Sequence, residues 1–166
     1  MELEDQTARK TYILLLVEIL QKKVQVLNIL IQLTTNQHDL IASSDVINDE
    51  EFLKLITLKE EKIIHLTSLD EGFDKLYLSV KEELMAGKEK YIAEITSLKE
   101  LIADITDLSV NLQTMEKRNK SQLDMYFATM RKKIKNSRLS NKTVANYYKT
   151  MTNQHEVQSF FYDKKN

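Results

Sequence analysis

Few side chains in this 166-residue sequence could carry metal or nucleophilic chemistry: it contains three His and no Cys. Glu61 and His65 are four residues apart, so on a helix they share a face and could approach one metal ion together. The Glu-x-x-His pair of carboxylate-bridged di-iron bundles is absent. A metal site needs more ligands than one pair supplies, so this pair predicts a solvated helix face.

The other two histidines do not assemble a catalytic group by their spacing. His38 lies at the edge of an apolar helical stripe, and His155 lies in the C-terminal segment. No nucleophile, base and orienting group can be combined from these positions. We therefore expect a protein that is not an enzyme, without catalytic residues, metal or cofactor.

A basic stretch from residue 117 to 135 holds seven Lys or Arg against one Asp. With Tyr126 and Phe127 it could bind phosphates and stacked bases. Alternatively, these cations end a helix, where they interact favourably with its dipole and neutralise an acidic remainder. No recognition motif accompanies the charge, so we expect no nucleic-acid partner. A polyanion or membrane anchor is the alternative, and it predicts binding that falls steeply with salt.

Charge divides the chain near residue 116. The first 116 residues carry 12 Lys or Arg against 22 Asp or Glu, and the last 50 carry 12 against 3. Few aliphatic neighbours accompany the aromatic residues of the last 30 positions, which are Tyr147, Tyr148, Phe160, Phe161 and Tyr162. The C-terminal part is therefore predicted to contact a partner.

Methionine follows the same division, because four of six occur between residues 115 and 151. Flexible thioethers suit surfaces that repack around a partner helix. Ordinary core packing explains Met115 equally well, whereas Met125, Met130 and Met151 favour the binding interpretation.

The elements that must position these side chains are helices. The sequence has no Pro, two Gly and abundant Leu, Ile, Lys and Glu, which predicts an all-α fold. From Tyr12 to Ile41 the apolar residues recur at helical spacing on a stripe too broad for a two-stranded seam. Such a stripe is typical of a helix covered by two partners in a bundle.

Two interruptions divide the helical pattern. The segment from Ala42 to Asp49 interrupts the apolar stripe and predicts a turn, with Asn48 or Asp49 capping the next helix. A seven-residue register then continues from Phe52 to Tyr126, long enough for one very long helix. We expect a reversal between Glu83 and Lys88, with Gly87 as the C-cap residue. The competing picture is a short hairpin with a protruding rod.

These patterns predict an antiparallel three-helix bundle, or long helical hairpin of coiled-coil type. Its helices are expected at about 7–44, 49–85 and 88–135, within a domain of residues 1–136. Residues 137–166 are expected to form a flexible, aromatic and basic tail whose short helices form on binding. Deleting such a tail should weaken binding and leave stability nearly unchanged.

The sequence also favours one compartment. Its first residues are acidic, unlike the basic start of a secretory signal, and no apolar run is long enough to span a bilayer. The absence of Cys suits a reducing environment. We expect a cytoplasmic monomer or homodimer without membrane insertion.

Three segments resemble the FlgN-type flagellar export chaperones, a helical bacterial family that binds subunits awaiting export. They are the segment from Leu69 to Tyr77, the segment from Leu112 to Asn119, and the tail from Ser159 to Asn166. The resemblance implies a cytoplasmic type III export chaperone that binds the terminal helices of flagellar hook-associated (hook-filament junction) proteins. It would prevent their premature assembly and deliver them to the export apparatus, with the export ATPase or export gate as further partners.

In that family the C-terminal helix and tail hold the cargo contacts, which implies contacts from Asn119 onward in this sequence. The expected cargo-binding residues are Asn119, Leu123, Tyr126, Phe127, Met130, Tyr147, Tyr148, Met151, Phe160, Phe161 and Tyr162. Two alternatives stay open. One is the sister chaperone of the filament-cap protein, and the other is a self-associating coiled-coil scaffold, which would form a stable higher oligomer without any partner.

Overall fold

The structure of the chain is a computed structural model that describes residues 1–43, 45–131 and 145–151. It contains three long helices, α1 (Glu2–Ala42), α2 (Asp49–Ala86) and α3 (Ile92–Met130), and residues 145–151 are also helical. The described residues include no strand. The all-α prediction is confirmed, and the helices form a bundle.

Helix α1 is the central element, since both other helices pack against it. Contacts from Arg9 to Glu83 and from Lys23 to Asp70 show that α2 runs antiparallel to α1. The hydrogen bond from Thr34 to Glu116 and the contact between His38 and Gln122 show that α3 runs parallel to it. Helices α2 and α3 make far fewer close backbone approaches to each other than either makes to α1. A groove therefore runs between α2 and α3.

The core is the shared stripe of these helices. Burial of this apolar surface stabilises the bundle by removing it from water, at roughly 25 cal/mol per Å². Its buried members on α1 are Ile13, Leu16, Leu20, Val26, Leu27 and Leu30, those on α2 are Phe52, Ile56, Ile63, Leu66, Phe73, Val80 and Leu84, and those on α3 are Leu98, Ile105, Leu112 and Leu123.

The connection between α1 and α2 is anchored at both of its sides. The Asn48 side chain accepts a hydrogen bond from the backbone N–H of Glu51 at 3.1 Å, so Asn48 is the N-cap of α2. Its neighbour Ile47 is buried and donates its backbone N–H to the hydroxyl of Tyr126 at 3.2 Å. The expectation of a cap at Asn48 or Asp49 is confirmed at Asn48.

The chain reverses at Gly87. Helix α2 ends at Ala86, residues 87–91 form a turn, and α3 begins at Ile92. A Cβ atom on residue 87 would lie 3.1 Å from the Glu83 carbonyl oxygen and 3.3 Å from the Tyr91 ring, so Gly permits this close approach. The Tyr91 hydroxyl donates to Glu83 at 3.0 Å, and Arg9 reaches the same carboxylate at 2.9 Å. Hydrogen bonds from Arg9 and then Tyr91 lower the pKa of Glu83.

Two boundaries differ from the sequence-based expectations. Helix α1 already begins at Glu2, where Glu2, Glu4 and Asp5 occupy the first turn and Asp5 pairs with Arg9 at 2.9 Å. Helix α3 begins only after the turn that buries Tyr91. Among the residues described, no helix combines the length and apolar character needed to cross a membrane.

The greatest difference concerns the expected tail. Residues 145–151 form a helical turn against the bundle, and Tyr147 and Tyr148 are 1% and 8% exposed. The sequence suggested that this region has too few aliphatic neighbours for a core of its own. In the structure its aromatic rings join the core of the three long helices instead. Phe160, Phe161 and Tyr162 lie outside the described residues.

Candidate functional site: the groove between the second and third helices

A buried ion pair lies at the bottom of the groove. The ammonium group of Lys59 on α2 donates to the Oε1 atom of Glu116 on α3, and both side chains are almost fully buried. Lys59 also donates to Gln37 at 2.7 Å, and the Thr34 hydroxyl donates to Glu116 at 3.0 Å. Because buried charges need partners, each charge of this pair has hydrogen-bonding neighbours, and the network connects α1, α2 and α3.

The 145–151 segment completes that network. The Tyr147 hydroxyl donates to Glu116 at 2.8 Å, and the Lys59 ammonium lies 4.5 Å from the centre of the Tyr147 ring. Tyr148 packs edge-on against Tyr147, with ring centres 5.0 Å apart. A hydrogen bond to a buried carboxylate and a cation–π contact are both strengthened by the low local dielectric. The segment is therefore held by specific polar contacts as well as by apolar burial.

Burial changes the proton affinities of this cluster. Desolvation lowers the pKa of Lys59 to about 8, although the neighbouring Glu116 carboxylate acts in the opposite direction. Desolvation, followed by the Glu116 charge, raises the pKa of Tyr147 well above its ordinary value. The pKa of Tyr148 is raised for the same two reasons. Both tyrosines therefore stay protonated at a pH where an ordinary tyrosine ionises.

An open cavity lies beside these aromatic residues, between all three long helices and the 145–151 segment. Its volume is about 350 Å³. Its floor and walls are mainly aliphatic, and Tyr148 and Met151 form one side. The full lining consists of Leu30, Ile63, Leu66, Ser109, Leu112, Gln113, Glu116, Lys117, Lys120, Ala145, Tyr148, Lys149 and Met151.

The rim of this cavity is cationic. Lys117, Lys120 and Lys149 are exposed at its edge, and the one carboxylate in the lining, Glu116, is already paired with Lys59. Lys120 also approaches Asp124 at 3.4 Å. Within the described part of the chain, Lys117 and Lys149 form no ion pair. An apolar cavity with a positive edge can therefore accept an apolar group that carries negative charge beside it.

Two of the residues expected to contact cargo are buried inside the bundle. Asn119 is 0% exposed and donates its side-chain amide to the Thr34 carbonyl oxygen at 3.0 Å. Leu123 is also 0% exposed and belongs to the core. Asn119 thus connects α3 to α1 and Leu123 packs in the core, so neither side chain is exposed in the structure.

The remaining predicted residues divide between two places. Tyr126 and Phe127 pack edge to face with ring centres 5.5 Å apart, near the end of α3, where Met130 is half-buried. Tyr147, Tyr148 and Met151 lie together at the groove. Of the expected residues, Tyr148 and Met151 therefore line the cavity, and Tyr147 is buried next to it against Lys59 and Glu116. Tyr126 lies at the connection between α1 and α2.

The metal pair considered from the sequence stays on the surface. Glu61 and His65 are both exposed on α2. In the ranges 1–43, 45–131 and 145–151, no group of three or more His, Asp or Glu residues is placed to share a metal ion.

Sequence reasoning missed Lys59 and Glu116, which organise the groove. A signal for them existed, because both occupy positions of the apolar register that buried Ile56, Ile63 and Leu112 follow. A charged residue at such a position must find a buried partner or stay out of the core. Which charge meets which partner depends on the pairing of helices, and periodicity does not contain that information.

Comparisons of the chain with protein-family models, with curated proteins and with solved structures find no match.

Proposed function

We propose that this protein is a helix-binding export chaperone, whose groove between α2 and α3 receives a terminal helix of a flagellar hook-associated protein. One observation carries the proposal: the groove already holds a short helical segment, residues 145–151, and next to it an apolar cavity of about 350 Å³ remains open. A bundle that seats one helical segment between two helices offers the geometry that a second amphipathic helix needs.

The resemblance of three sequence segments to FlgN-type chaperones supplies the partner class. By that resemblance, the partners would be subunits whose terminal helices self-assemble, and the groove would cover one of these helices. Covering that helix would delay assembly until export. Each large apolar side chain fully buried would contribute about 1.5 to 3 kcal/mol before the costs of ordering are subtracted. The role proposed is binding and delivery in the cytoplasm, without catalysis.

Calorimetric titration of the full chain with synthetic terminal-helix segments tests this function. The proposal predicts saturable one-to-one binding to a segment from a hook-associated protein. It also predicts that Ser109→Phe, which adds a ring to the half-buried wall of the cavity, weakens that binding at least about tenfold, because the ring occupies the same space. A matched control is Ser79→Phe, on the exposed surface of α2, which should bind normally.

Other outcomes would assign other functions. Binding to a filament-cap segment alone would identify the sister chaperone. A stable higher oligomer in light scattering, without binding to either segment, would favour the coiled-coil scaffold.

A further inference from the structure

The chemistry of the cavity defines the partner more closely than its helical shape does, provided that the proposed helix-binding function holds. An engineered apolar cavity of about 150 Å³ can hold one benzene molecule. The cavity beside Tyr148 is about 350 Å³. It therefore has room for two large apolar side chains, such as a pair one helical turn apart on an approaching helix.

The lysines at the edge of the cavity favour a negatively charged partner. Lys117 on α3 and Lys149 on the 145–151 segment both line the cavity, and neither has an ion-pair partner among the residues described. The Oε2 atom of Glu116 is buried and accepts no hydrogen bond from any described residue. A helix with carboxylates flanking its apolar pair would complement the lysines, whereas one with flanking cations would be repelled.

The 145–151 segment itself is a wall of the cavity. If Tyr147 left the groove, the buried Glu116 carboxylate would lose the 2.8 Å hydrogen bond from the tyrosine hydroxyl. Lys59 would lose its cation–π contact with the tyrosine ring. Such loss is costly in a low-dielectric site. We therefore expect residues 145–151 to stay in place when a partner binds, with Tyr148 and Met151 as one side of the binding site.

We infer that the partner of this groove is an acidic amphipathic helix, which inserts two apolar side chains between α2, α3 and the retained 145–151 segment and pairs its flanking carboxylates with Lys117 and Lys149. In this arrangement the chain's own segment forms part of the site. It does not compete with the partner for the groove.

Two synthetic probes test the charge preference independently of any natural cargo. One is a blocked helix of about 18 residues, beyond the length at which isolated helices are marginal, with Leu pairs spaced by one turn and Glu beside them; the other replaces each Glu with Lys. At low salt the acidic probe should bind the full chain at least about tenfold more tightly, and the difference should shrink as salt is added. Equal affinity, or tighter binding of the basic probe, would overturn the inference.

Charge reversal in the protein provides the matching test. Lys117→Glu/Lys149→Glu should weaken the acidic probe about tenfold or more and improve the basic one. The control Lys81→Glu/Lys88→Glu changes the net charge equally, on exposed residues outside the cavity lining, and should alter neither affinity appreciably. Similar losses in both double variants would mean that only net charge acts, which would overturn the assigned site.

The role of the retained segment has its own variants. Tyr148→Ala and the milder Met151→Ala should each weaken binding of the acidic probe, with circular dichroism used to verify that the bundle is folded. Tighter binding in either folded variant would show that the segment competes with the partner, contrary to the inference. If sedimentation shows a dimer that Lys117→Glu/Lys149→Glu abolishes, the cavity binds a second copy of the chain. That result would also overturn the inference.

The natural segments separate the two proposals. If hook-associated segments do not bind but the acidic probe does, the chaperone assignment fails and the partner chemistry stands. If those segments bind without sensitivity to the Lys117 and Lys149 reversal, the chaperone assignment stands and the partner chemistry fails. If nothing binds, both fail.

Discussion

At the scale of single residues, the molecule depends on a charged pair buried between α2 and α3. Lys59 and Glu116 are enclosed by Thr34, Gln37 and Tyr147, which supply hydrogen bonds that water would otherwise provide. Such a pair contributes less through net attraction than through the penalty for breaking it. We expect the pair to favour the alignment of the helices and of residues 145–151 in which both charges keep their partners.

Removing one partner of this pair should therefore be costly. Lys59→Met is expected to lower the free energy of unfolding by about 3 to 5 kcal/mol, because Glu116 is left buried without its cation. Lys59→Met/Glu116→Leu should be less destabilised than the sum of the two single variants. Urea unfolding measures both effects. As a control, Lys22→Met removes an exposed pair with Glu18 and should change stability by less than about 0.5 kcal/mol.

The buried lysine also predicts a dependence on pH. The pKa of Lys59 is lowered to about 8 from 10.5. Between these values the unfolded chain holds a proton that the folded chain has released, so the contribution of Lys59 to stability rises with pH. Below pH 8 the full penalty of burying the cation is present. From about pH 7.5 to 9.5 the wild type should gain about 2 kcal/mol relative to Lys59→Met.

Denaturant unfolding at both pH values measures this gain. Tyr147 acts in the opposite direction only from near pH 10 upward, because its raised pKa keeps the folded hydroxyl protonated after the unfolded one ionises. Parallel pH profiles for the wild type and the variant would contradict the assignment of a depressed lysine pKa.

At the scale of elements, the two glycines have different roles. Gly72 lies inside α2, with nothing within 4 Å of the position where a Cβ would stand, whereas Gly87 lies against Glu83 and Tyr91. Gly72→Ala should raise the free energy of unfolding by about 0.5 to 1 kcal/mol through helix propensity. Gly87→Ala should lower it by about 1 kcal/mol, because the methyl group crowds the turn. Thermal unfolding distinguishes these signs, and stabilisation by Gly87→Ala would refute this account of the reversal.

The 145–151 segment is an element of the fold, and this changes the expectation for deleting the tail. Loss of residues 137–166 removes two buried aromatic side chains and should lower the free energy of unfolding by about 3 kcal/mol or more. Tyr147→Phe, which keeps the ring and removes one hydrogen bond to a buried charge, should cost about 1.5 to 3 kcal/mol. A deletion variant that melts at the same temperature as the full chain would contradict the packing of residues 145–151 in the groove.

Sequence reasoning reached the elements more readily than the site. Helical spacing, the cap at Asn48 and the weak helical stretch at Gly87 are local signals, and the structure has a helix end or turn at each of them. The position of Tyr147 is not determined by local sequence, because it depends on Glu116, 31 positions earlier, and on Lys59 from α2. Periodicity identifies faces of helices, but it does not say which faces meet.

At the scale of the whole molecule, some of the basic residues from the C-terminal part of the sequence lie at the cavity. The cationic residues Lys117, Lys120 and Lys149 stand at the edge of the apolar cavity, although the chain as a whole carries a net charge of −1. Steering by such a local field would favour approach of an acidic partner and disfavour a basic one. Three of the cations that follow residue 116 in the sequence thus lie beside this cavity.

The most direct test is a methyl NMR titration of the full chain with a terminal-helix segment of a hook-associated protein. We expect the largest shift changes at Ile63, Leu66, Leu112 and Met151, which line the cavity. The methyl groups of Ile13 and Val80, at the opposite end of the bundle, should change little. Changes concentrated at that opposite end, or no changes at saturating segment, would contradict the claim that this groove is where the protein binds its partner.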